Sequence, residues 1–346
     1  MPELLEVMEL VKHFPVRRGF WRSRHEAVHA VDGISFSLGA EKTLGLVGES
    51  GCGKSTAGRA ILRLIRPTAG RVRFKGEDVL TMNGVQERRM RRQMQMIFQD
   101  PFGSLNPRLT VERIVEEPLT THRVGGRRER SERVAEILRT VGLLPEHTKR
   151  FPHEFSGGQR QRIMIARALI LQPELIIGDE PVSALDVSVQ AQIINLMMRL
   201  QRQFRFSYII ISHDLGVIRH VSHKVAVMYL GQIVEMAGAK ALYNSPRHPY
   251  TQALLSAVPV PDPRRRRQRI ILAGDVPSPI KPPPGCRFHP RCPQRMAVCD
   301  QAAPRMRRID IDHVTACHLH DGGPEWKLES DGEDLSPTTP KKEVQS

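Results

Sequence analysis

A glycine-rich loop between an apolar run and a helix-forming run, within residues 43–62, constrains the fold of this chain more than any other feature. The loop fits the pattern G-x-x-x-x-G-K-[ST] at every fixed position, with Gly48, Gly53, Lys54 and Ser55. Backbone N–H groups of such a loop, and the N-terminus of the helix after it, surround phosphate oxygens. The segment therefore predicts a strand, a phosphate-binding loop and a helix within an α/β fold.

The side chains of this loop predict how a nucleoside triphosphate is bound. Lys54 can reach the β- and γ-phosphates, and the Ser55 hydroxyl can ligate Mg²⁺. Cys52 needs to contribute only its backbone, and we interpret it as a small residue with a free thiol. The full predicted ATP-binding set of the segment is Gly48, Glu49, Ser50, Gly51, Cys52, Gly53, Lys54, Ser55 and Thr56.

Two carboxylates end a second apolar run, in residues 175–180. A continuous apolar run is typical of a parallel strand that is buried on both faces. Asp179 would then lie at the carboxyl end of the strand and orient Mg²⁺, while Glu180 would polarise the attacking water. A pair of solvated acids is the plainer alternative, and the phosphate loop upstream argues against it.

A second glycine-rich segment, with Ser156, Gly157, Gly158 and Gln159, lies about a hundred residues after the phosphate loop. Together with the loop and the acidic pair, it resembles the ATP-binding cassette (ABC) family of ATPases over residues 1–258. The resemblance implies a P-loop NTPase fold: a RecA-like core with an antiparallel β subdomain and a helical subdomain at about 92–165. It also implies that the chain hydrolyses ATP with Mg²⁺.

The same resemblance implies roles for three further side chains. Phe14 is similar to the aromatic residue that stacks on adenine, and Gln99 to the glutamine that touches Mg²⁺ and the attacking water. His213, after the apolar run 208–211, is similar to the histidine that contacts the γ-phosphate and pairs with the catalytic glutamate. Aromatic residues near Phe14 remain alternatives for adenine stacking, namely Phe20, Trp21 and His25.

The family resemblance further implies that the site is completed by a second subunit. Residues 156–159 would clasp the γ-phosphate of ATP held by the opposite subunit, and the loop containing Asp186 would cross the interface. A helix that begins with serine and two glycines offers N–H groups to an anion, as this role requires. ATP would then be part of the interface, closing the dimer when bound and releasing it when hydrolysed.

The chain contains no run of 18 apolar residues and no secretory signal, so a transport function requires separate membrane subunits. Residues 100–107 resemble the stretch that receives the coupling helix of the membrane subunit, and their Gly and Pro residues indicate a loop. These features predict a peripheral protein at the cytoplasmic face of the bacterial inner membrane, bound to two integral membrane permease subunits.

Residues 244–254, which include His248, Pro249 and Tyr250, resemble an element of oligopeptide/dipeptide importer ATPases, and residues 282–292 resemble the C-terminal extension of these proteins. We therefore predict an extension at 259–325. The resemblance implies uptake of short peptides, or of a related solute such as nickel. The second ATPase subunit would be a homologous partner or an identical copy, and a solute-binding protein would act indirectly.

Four of the five cysteines lie close together near the C-terminus, namely Cys286, Cys292, Cys299 and Cys317. In a cytosolic chain such a group favours metal over disulfides. Intervals of five, six and seventeen residues do not match the short zinc knuckles, whereas a [4Fe–4S] cluster accepts irregular spacing. An iron–sulfur cluster is the leading interpretation, and zinc and unmetallated thiols remain alternatives.

The formal charge of +15 and the run Arg264–Arg267 suggest either nucleic acid or an anionic membrane as a neighbour. Basic residues are not interleaved with aromatic ones, so we predict no nucleic-acid partner and interpret the run as a solvated linker. The polar tail 326–346 is predicted to be disordered. A soluble ABC protein acting on ribosomes or DNA is the main functional alternative. The segment 156–159 argues against a P-loop kinase.

Overall fold

The computed structural model of the chain describes residues 3–16, 26–258 and 269–328. Within these ranges the strands form one sheet of eight strands and one of four, and helices cover both faces of the larger sheet. In chain order the strands are β1 (Leu5–Val16), β2 (Glu26–Leu38), β3 (Thr43–Val47), β4 (Ala69–Phe74), β5 (Glu77–Asp78), β6 (Met94–Ile97), β7 (Leu175–Asp179), β8 (Ser207–Ser212), β9 (Lys224–Tyr229), β10 (Gln232–Gly238), β11 (Arg307–Asp310) and β12 (His313–Thr315).

The helices alternate with these strands, as the α/β fold predicted from the sequence requires. They are α1 (Lys54–Ile61), α2 (Gly84–Gln93), α3 (Pro101–Ser104), α4 (Val111–Thr121), α5 (Arg127–Thr140), α6 (Gly157–Leu169), α7 (Val187–Phe204), α8 (Leu215–Val221), α9 (Ala239–Asn244) and α10 (Pro249–Ser256). Helix α5 is amphipathic: it buries Val134, Ile137 and Leu138 and exposes most of its charged residues.

The central strands β3, β7 and β8 of the larger sheet are mostly apolar because both of their faces are buried. In β8, Ile209 and Ile211 pack into the core between the two sheets, whereas Tyr208 and Ile210 pack into the core under the helices. The five strands β9-β3-β8-β7-β6 are parallel, so β3, β6, β7 and β8 all end at the same edge of the sheet. The phosphate loop after β3 and the acidic residues Asp179 and Glu180 at the end of β7 therefore lie together at the carboxyl ends of the parallel strands.

The four-stranded sheet has the order β2-β1-β4-β5 and is antiparallel. Its apolar side chains pack with α1 and with one face of the larger sheet. This arrangement confirms the predicted antiparallel β subdomain beside a P-loop core. The predicted helical span of 92–165 contains α3, α4, α5 and most of α6, but it begins with β6, which belongs to the larger sheet.

The C-terminal extension is continuous with the main core. Strand β12 pairs with β10, and β11 pairs with β12, so the extension adds the two outermost strands on one side of the larger sheet. The fully buried carboxylate of Glu235 in β10 accepts hydrogen bonds from His313 Nε2 at 2.6 Å and from the N–H groups of Arg247 and His248 at 2.7 and 2.9 Å. Phe288, also buried, packs in the helix-side core.

Residues 326–328, the start of the segment predicted to be disordered, belong to the described part of the chain. Trp326 is half-buried against apolar side chains of the inter-sheet core, and its N–H donates to the carbonyl of Met306 at 2.8 Å. Residues 329–346 lie outside the described ranges, as does the basic run Arg264–Arg267.

Candidate functional site

The glycine-rich loop connects β3 to α1, as predicted, and two of its glycines are required by close backbone contacts. Gly48 and Gly53 have φ angles of 155° and 105°. A Cβ at Gly48 would lie 2.1 Å from the Met228 carbonyl oxygen, and one at Gly53 would lie 1.8 Å from that of Ala30. No side chain fits at either position, so the loop keeps the tight turn that directs its N–H groups inward.

Lys54 lies inside this loop. Its side chain is only 4% exposed, and its ammonium donates to the carbonyl oxygens of Gly48 and Glu49 at 2.8 and 2.9 Å. The ammonium is thus held by weak neutral acceptors at the position where the loop encloses an anion. A phosphate oxygen is a stronger, charged acceptor and would replace these contacts.

Ser55 and Asp179 meet across the sheet, from the start of α1 and the end of β7. The Ser55 hydroxyl donates to Asp179 Oδ1 at 2.6 Å. Asp179 is fully buried, and burial raises the pKa of its carboxyl group although the Ser55 hydrogen bond opposes that shift. Among the described residues its Oδ2 has no hydrogen-bond partner, and the guanidinium of Arg59 lies 3.8 Å away. A hydroxyl beside an unsatisfied carboxylate oxygen is a donor set that fits Mg²⁺.

Glu180 is held at both of its carboxylate oxygens. His213 Nδ1 lies 3.0 Å from Oε1, and the Gln99 amide donates to Oε2 at 2.9 Å. The backbone of Glu180 has a φ of 47°, and its N–H donates to the Ile211 carbonyl at 2.9 Å, which fixes the turn after β7. The carboxylate therefore has a defined orientation beside Asp179, as a general base requires.

The structure brings together three of the side chains that the sequence predicts to be catalytic: Gln99, Glu180 and His213. The contact between His213 and Glu180 is the one expected from the family resemblance. Gln99 contacts the same carboxylate rather than the Ser55–Asp179 pair. Its amide is exposed and follows β6 directly, so it lies at the same sheet edge as the other two.

The segment 156–159 forms the start of α6. The Ser156 hydroxyl accepts from the Gln159 N–H at 3.3 Å, and the Gln159 side chain accepts from the Ser156 N–H at 3.0 Å. This reciprocal cap leaves the first turn of the helix exposed at Ser156. A Cβ at Gly158 would lie 2.5 Å from Val189 Cγ1, so glycine permits close packing of α6 against the start of α7. Asp186, just before α7, is exposed.

Phe14 lies near the end of β1 and is 38% exposed. The Lys12 ammonium lies over the Phe14 ring, 4.7 Å from its centre. The alternative stacking residues Phe20, Trp21 and His25 lie outside the described residues.

The four clustered cysteines are all free thiols in one region of the extension. Cys286, Cys299 and Cys317 are buried and Cys292 is half-buried. Burial raises the pKa of Cys317 to about 12, with smaller contributions from the three other thiols. Within the described part of the chain, no three of their sulfurs lie within 4.8 Å of one another, a wider spacing than tetrahedral zinc needs.

A second group of metal-ligating types lies on β1 and β2. His13, His29 and Asp32 have ligand atoms within 4.8 Å of one another. His13 Nε2 lies 2.8 Å from Asp32 Oδ1, and the other carboxylate oxygen is bound by Arg287 of the extension. Hydrogen bonds to His13 and Arg287 lower the pKa of Asp32 against the opposing effect of burial. The carboxylate is already neutralised, which disfavours a cation there.

Two residues that contact the phosphate loop were not predicted from the sequence. Arg291 of the extension donates to both carboxylate oxygens of Glu49, at 2.7 and 3.1 Å. The Tyr250 hydroxyl accepts from the Glu49 N–H at 2.9 Å. Tyr250 and Arg291 belong to segments noted in the sequence, 244–254 and 282–292, but the contact of Arg291 with Glu49 could not be predicted, since 242 positions separate the two residues.

Family models match two parts of the chain. Residues 31–183 match the ABC transporter family, and residues 234–299 match the oligopeptide/dipeptide transporter C-terminal region. The first match covers the phosphate loop, the segment 156–159 and both acidic residues. The second covers Arg291 and three of the four clustered cysteines. Among the described residues, no helix combines the length and the apolarity needed to cross a membrane.

Curated relatives match nearly the whole chain. It is 54% identical over 320 residues to the oligopeptide transport ATP-binding protein AppF of Bacillus subtilis (strain 168), which covers 92% of this chain and 97% of that protein. It is 50% identical over 304 residues to the dipeptide transport ATP-binding protein DppF of Escherichia coli (strain K12), covering 88% and 91%.

Solved structures match the cassette part. The ATP-binding cassette MJ0796, in a dimeric post-hydrolysis state bound to ADP and Pi, superposes with a TM-score of 0.60 at 26% identity, covering 68% of this chain and 98% of that one. CbiO1 of Clostridium perfringens, part of an ABC transporter complex, superposes with a TM-score of 0.60 at 25% identity, covering 70% and 91%.

Proposed function

The chain belongs to the ABC transporter family of ATPases, and on that premise we propose that it powers the import of short peptides through separate membrane subunits. The single observation that carries the substrate class is the similarity to peptide-transport ATP-binding proteins, 54% identity over 92% of the chain in the case of AppF, together with the matched C-terminal region. We further propose a cassette at 1–258, an extension at 259–325 and a peripheral position on the cytoplasmic face of the inner membrane.

ABC ATPases bind ATP with Mg²⁺, and the residues around the phosphate loop fit both. The Lys54 ammonium would bind the β- and γ-phosphate oxygens in place of the Gly48 and Glu49 carbonyls. Ser55 and Asp179 would hold Mg²⁺ with support from Gln99. When bound, the ion neutralises charge on the phosphate oxygens. The side chain of Phe14 would stack on adenine.

Glu180 would act as general base toward the water that attacks the γ-phosphate. Its two oxygens are held by Gln99 and His213, so only one orientation is favoured before the water arrives. His213 is 57% exposed and would contact the γ-phosphate from the open side of the sheet edge. Hydrolysis then breaks the bond between the β- and γ-phosphates, releasing ADP and phosphate.

A second ATPase subunit would complete each site. The exposed start of α6 would meet the γ-phosphate of ATP bound by the partner, and the loop at Asp186 would line the interface. Members of the family act with membrane permeases and dimerise. We propose two permease subunits, a homologous second ATPase rather than an identical copy, and an indirect role for a solute-binding protein. Residues 100–107, directly after Gln99, would receive the coupling helix.

A pull-down from native membranes tests this proposal. The tagged chain is purified in mild detergent, and all retained proteins are identified by mass spectrometry. We expect two polytopic membrane proteins and a second cassette ATPase. Recovery of a soluble complex with ribosomal proteins or DNA would instead support the alternative of a soluble ABC protein. A gene for this chain that lies beside genes for nickel-handling proteins would instead support nickel as the transported solute.

We also propose that Cys286, Cys292, Cys299 and Cys317 hold a [4Fe–4S] cluster. Two of these residues are joined through their backbones, since the Cys286 N–H donates to the Cys299 carbonyl at 2.8 Å. Their spacing exceeds what one zinc ion needs, and a cluster of several iron atoms separates its thiolates more widely than a single ion does. Since Cys286, Cys292 and Cys299 pack in the main core, such a cluster would stabilise the extension.

Replacing Cys286 by serine is expected to lower the iron content of anaerobically purified protein well below four per chain. The reason is that one of the four thiolate ligands is lost. Iron analysis and visible absorption measure the change, and Cys52→Ser, outside the group, is the matched control that keeps its iron. Wild-type protein that contains one zinc or no metal would refute the cluster proposal without affecting the ATPase assignment.

A further inference from the structure

The extension contacts the phosphate loop through a bidentate ion pair. Arg291 Nη1 and Nη2 donate to Glu49 Oε2 and Oε1 at 2.7 and 3.1 Å, and the two side chains are 9% and 27% exposed. Glu49 directly follows Gly48, the first glycine of the loop. This contact therefore joins the region after residue 269 to the segment proposed to enclose the phosphates of ATP.

The backbone around Arg291 is held by the main core. Arg291 ends a short 3₁₀ turn, and its N–H donates to the Phe288 carbonyl at 3.0 Å. Phe288 is buried, with its ring centre 5.3 Å from those of Tyr229 and Tyr250. Since Tyr250 also accepts a hydrogen bond from the Glu49 N–H, Glu49 is held through both its backbone and its side chain. The guanidinium is thus presented to the loop from a rigid support.

The negative charge of Glu49 explains why this residue needs a cationic partner such as Arg291. A carboxylate next to the first glycine repels the anionic phosphates, and it is close enough to Cys52 within the loop to raise the pKa of that thiol as a minor contribution. A partly buried charge is weakly screened by solvent. The guanidinium of Arg291 neutralises this carboxylate. Because it binds both carboxylate oxygens, it also holds the carboxylate in one orientation.

We propose that Arg291 is a positioning residue for ATP binding, which neutralises and orients Glu49 so that the phosphate loop accepts ATP. This inference rests on the ATP-binding function proposed above and requires no metal in the cysteine group. It makes the extension a part of the nucleotide site, contributed from outside the cassette itself.

The test compares four proteins in equilibrium binding of a fluorescent ATP analogue with Mg²⁺: wild type, Arg291→Ala, Glu49→Gln and the double variant. Arg291→Ala is expected to raise the Kd about tenfold, because it leaves Glu49 uncompensated beside the phosphates. Glu49→Gln is expected to bind no more weakly than wild type, and in the double variant Glu49→Gln restores most of the lost affinity. Because Glu49 is partly buried, the tenfold loss should decrease only slightly as salt is added.

If the ion pair between Arg291 and Glu49 only stabilised the folded loop, both single variants would weaken ATP binding and the double variant would bind most weakly. That pattern, or an unchanged Kd in Arg291→Ala, would overturn the inference.

Arg295→Ala is the matched control, since it removes a similar ion pair with Asp300, at 2.5 Å, in the same extension. If Arg291→Ala does not fold, Arg291→Lys, which keeps the charge but not the bidentate geometry, must give an intermediate Kd. Wild type that binds no ATP would reject the proposed function itself.

Discussion

Replacement of Glu180 by glutamine is expected to lower kcat for ATP hydrolysis by about a hundredfold to ten-thousandfold while ATP binding is retained. Glutamine has nearly the same shape and keeps contacts with Gln99 and His213, which lie 2.9 and 3.0 Å from the carboxylate. It cannot accept a proton from the attacking water. Phosphate release measures turnover, and a fluorescent analogue measures affinity.

The same variant is expected to accumulate the closed, ATP-bound dimer, because the switch that separates the subunits depends on hydrolysis. Light scattering in the presence of Mg²⁺ and ATP, with the second ATPase subunit added if the pull-down identifies one, measures this species. Glu174→Gln is the matched control: Glu174 precedes the opposite end of β7 and pairs with Lys75 at 2.8 Å. Turnover near the wild-type rate in Glu180→Gln would mean that the general base is another group.

Replacement of Lys54 by alanine is expected to weaken ATP binding about tenfold to a hundredfold, the equivalent of roughly 1.5–3 kcal/mol for a lost charged hydrogen bond. The ammonium is buried inside the loop, where it leaves the neutral acceptors of Gly48, Glu49 and Cys52 when phosphate arrives. Alanine supplies neither the charge nor the donors. Titration calorimetry with Mg²⁺ and ATP measures the effect.

Lys42→Ala is the matched control for this loss, since Lys42 is an exposed lysine just before β3, at the end of the strand away from the loop. The two large effects are separable: Glu180→Gln removes turnover and keeps binding, whereas Lys54→Ala removes binding. A Lys54→Ala protein that binds ATP as wild type does would contradict the assignment of the loop.

The parts of the fold that could be predicted from sequence are those in which a local pattern and the tertiary structure agree. Residues 43–47 and 175–179 are continuous apolar runs because parallel strands are buried on both faces, and both form strands. The glycines of the loop are visible in sequence because no Cβ fits at Gly48 or Gly53. Parallel strands then bring Asp179, Glu180 and His213 to one edge, although long intervals separate them from the loop.

The extension could not be predicted in the same way, because its structure depends on distant contacts. Strand β12 has three residues, too few for a periodic pattern, and it exists because it pairs with β10 and because His313 satisfies the buried carboxylate of Glu235. The pair between Arg291 and Glu49 depends on two segments that meet only in the folded chain. Disorder is predicted at Trp326 from its polar sequence neighbours, but this residue packs against the inter-sheet core.

Peptide uptake by cells that carry Glu180→Gln in place of the wild-type chain tests the central claim most directly. Labelled di- and tripeptides are supplied to the wild type, to the variant and to a strain carrying Glu174→Gln, and the accumulated label is measured at equal protein levels. We predict that uptake is normal with Glu174→Gln and is lost with Glu180→Gln. Peptide uptake that continues unchanged in the Glu180→Gln strain would contradict the conclusion that ATP hydrolysis by this chain drives peptide import.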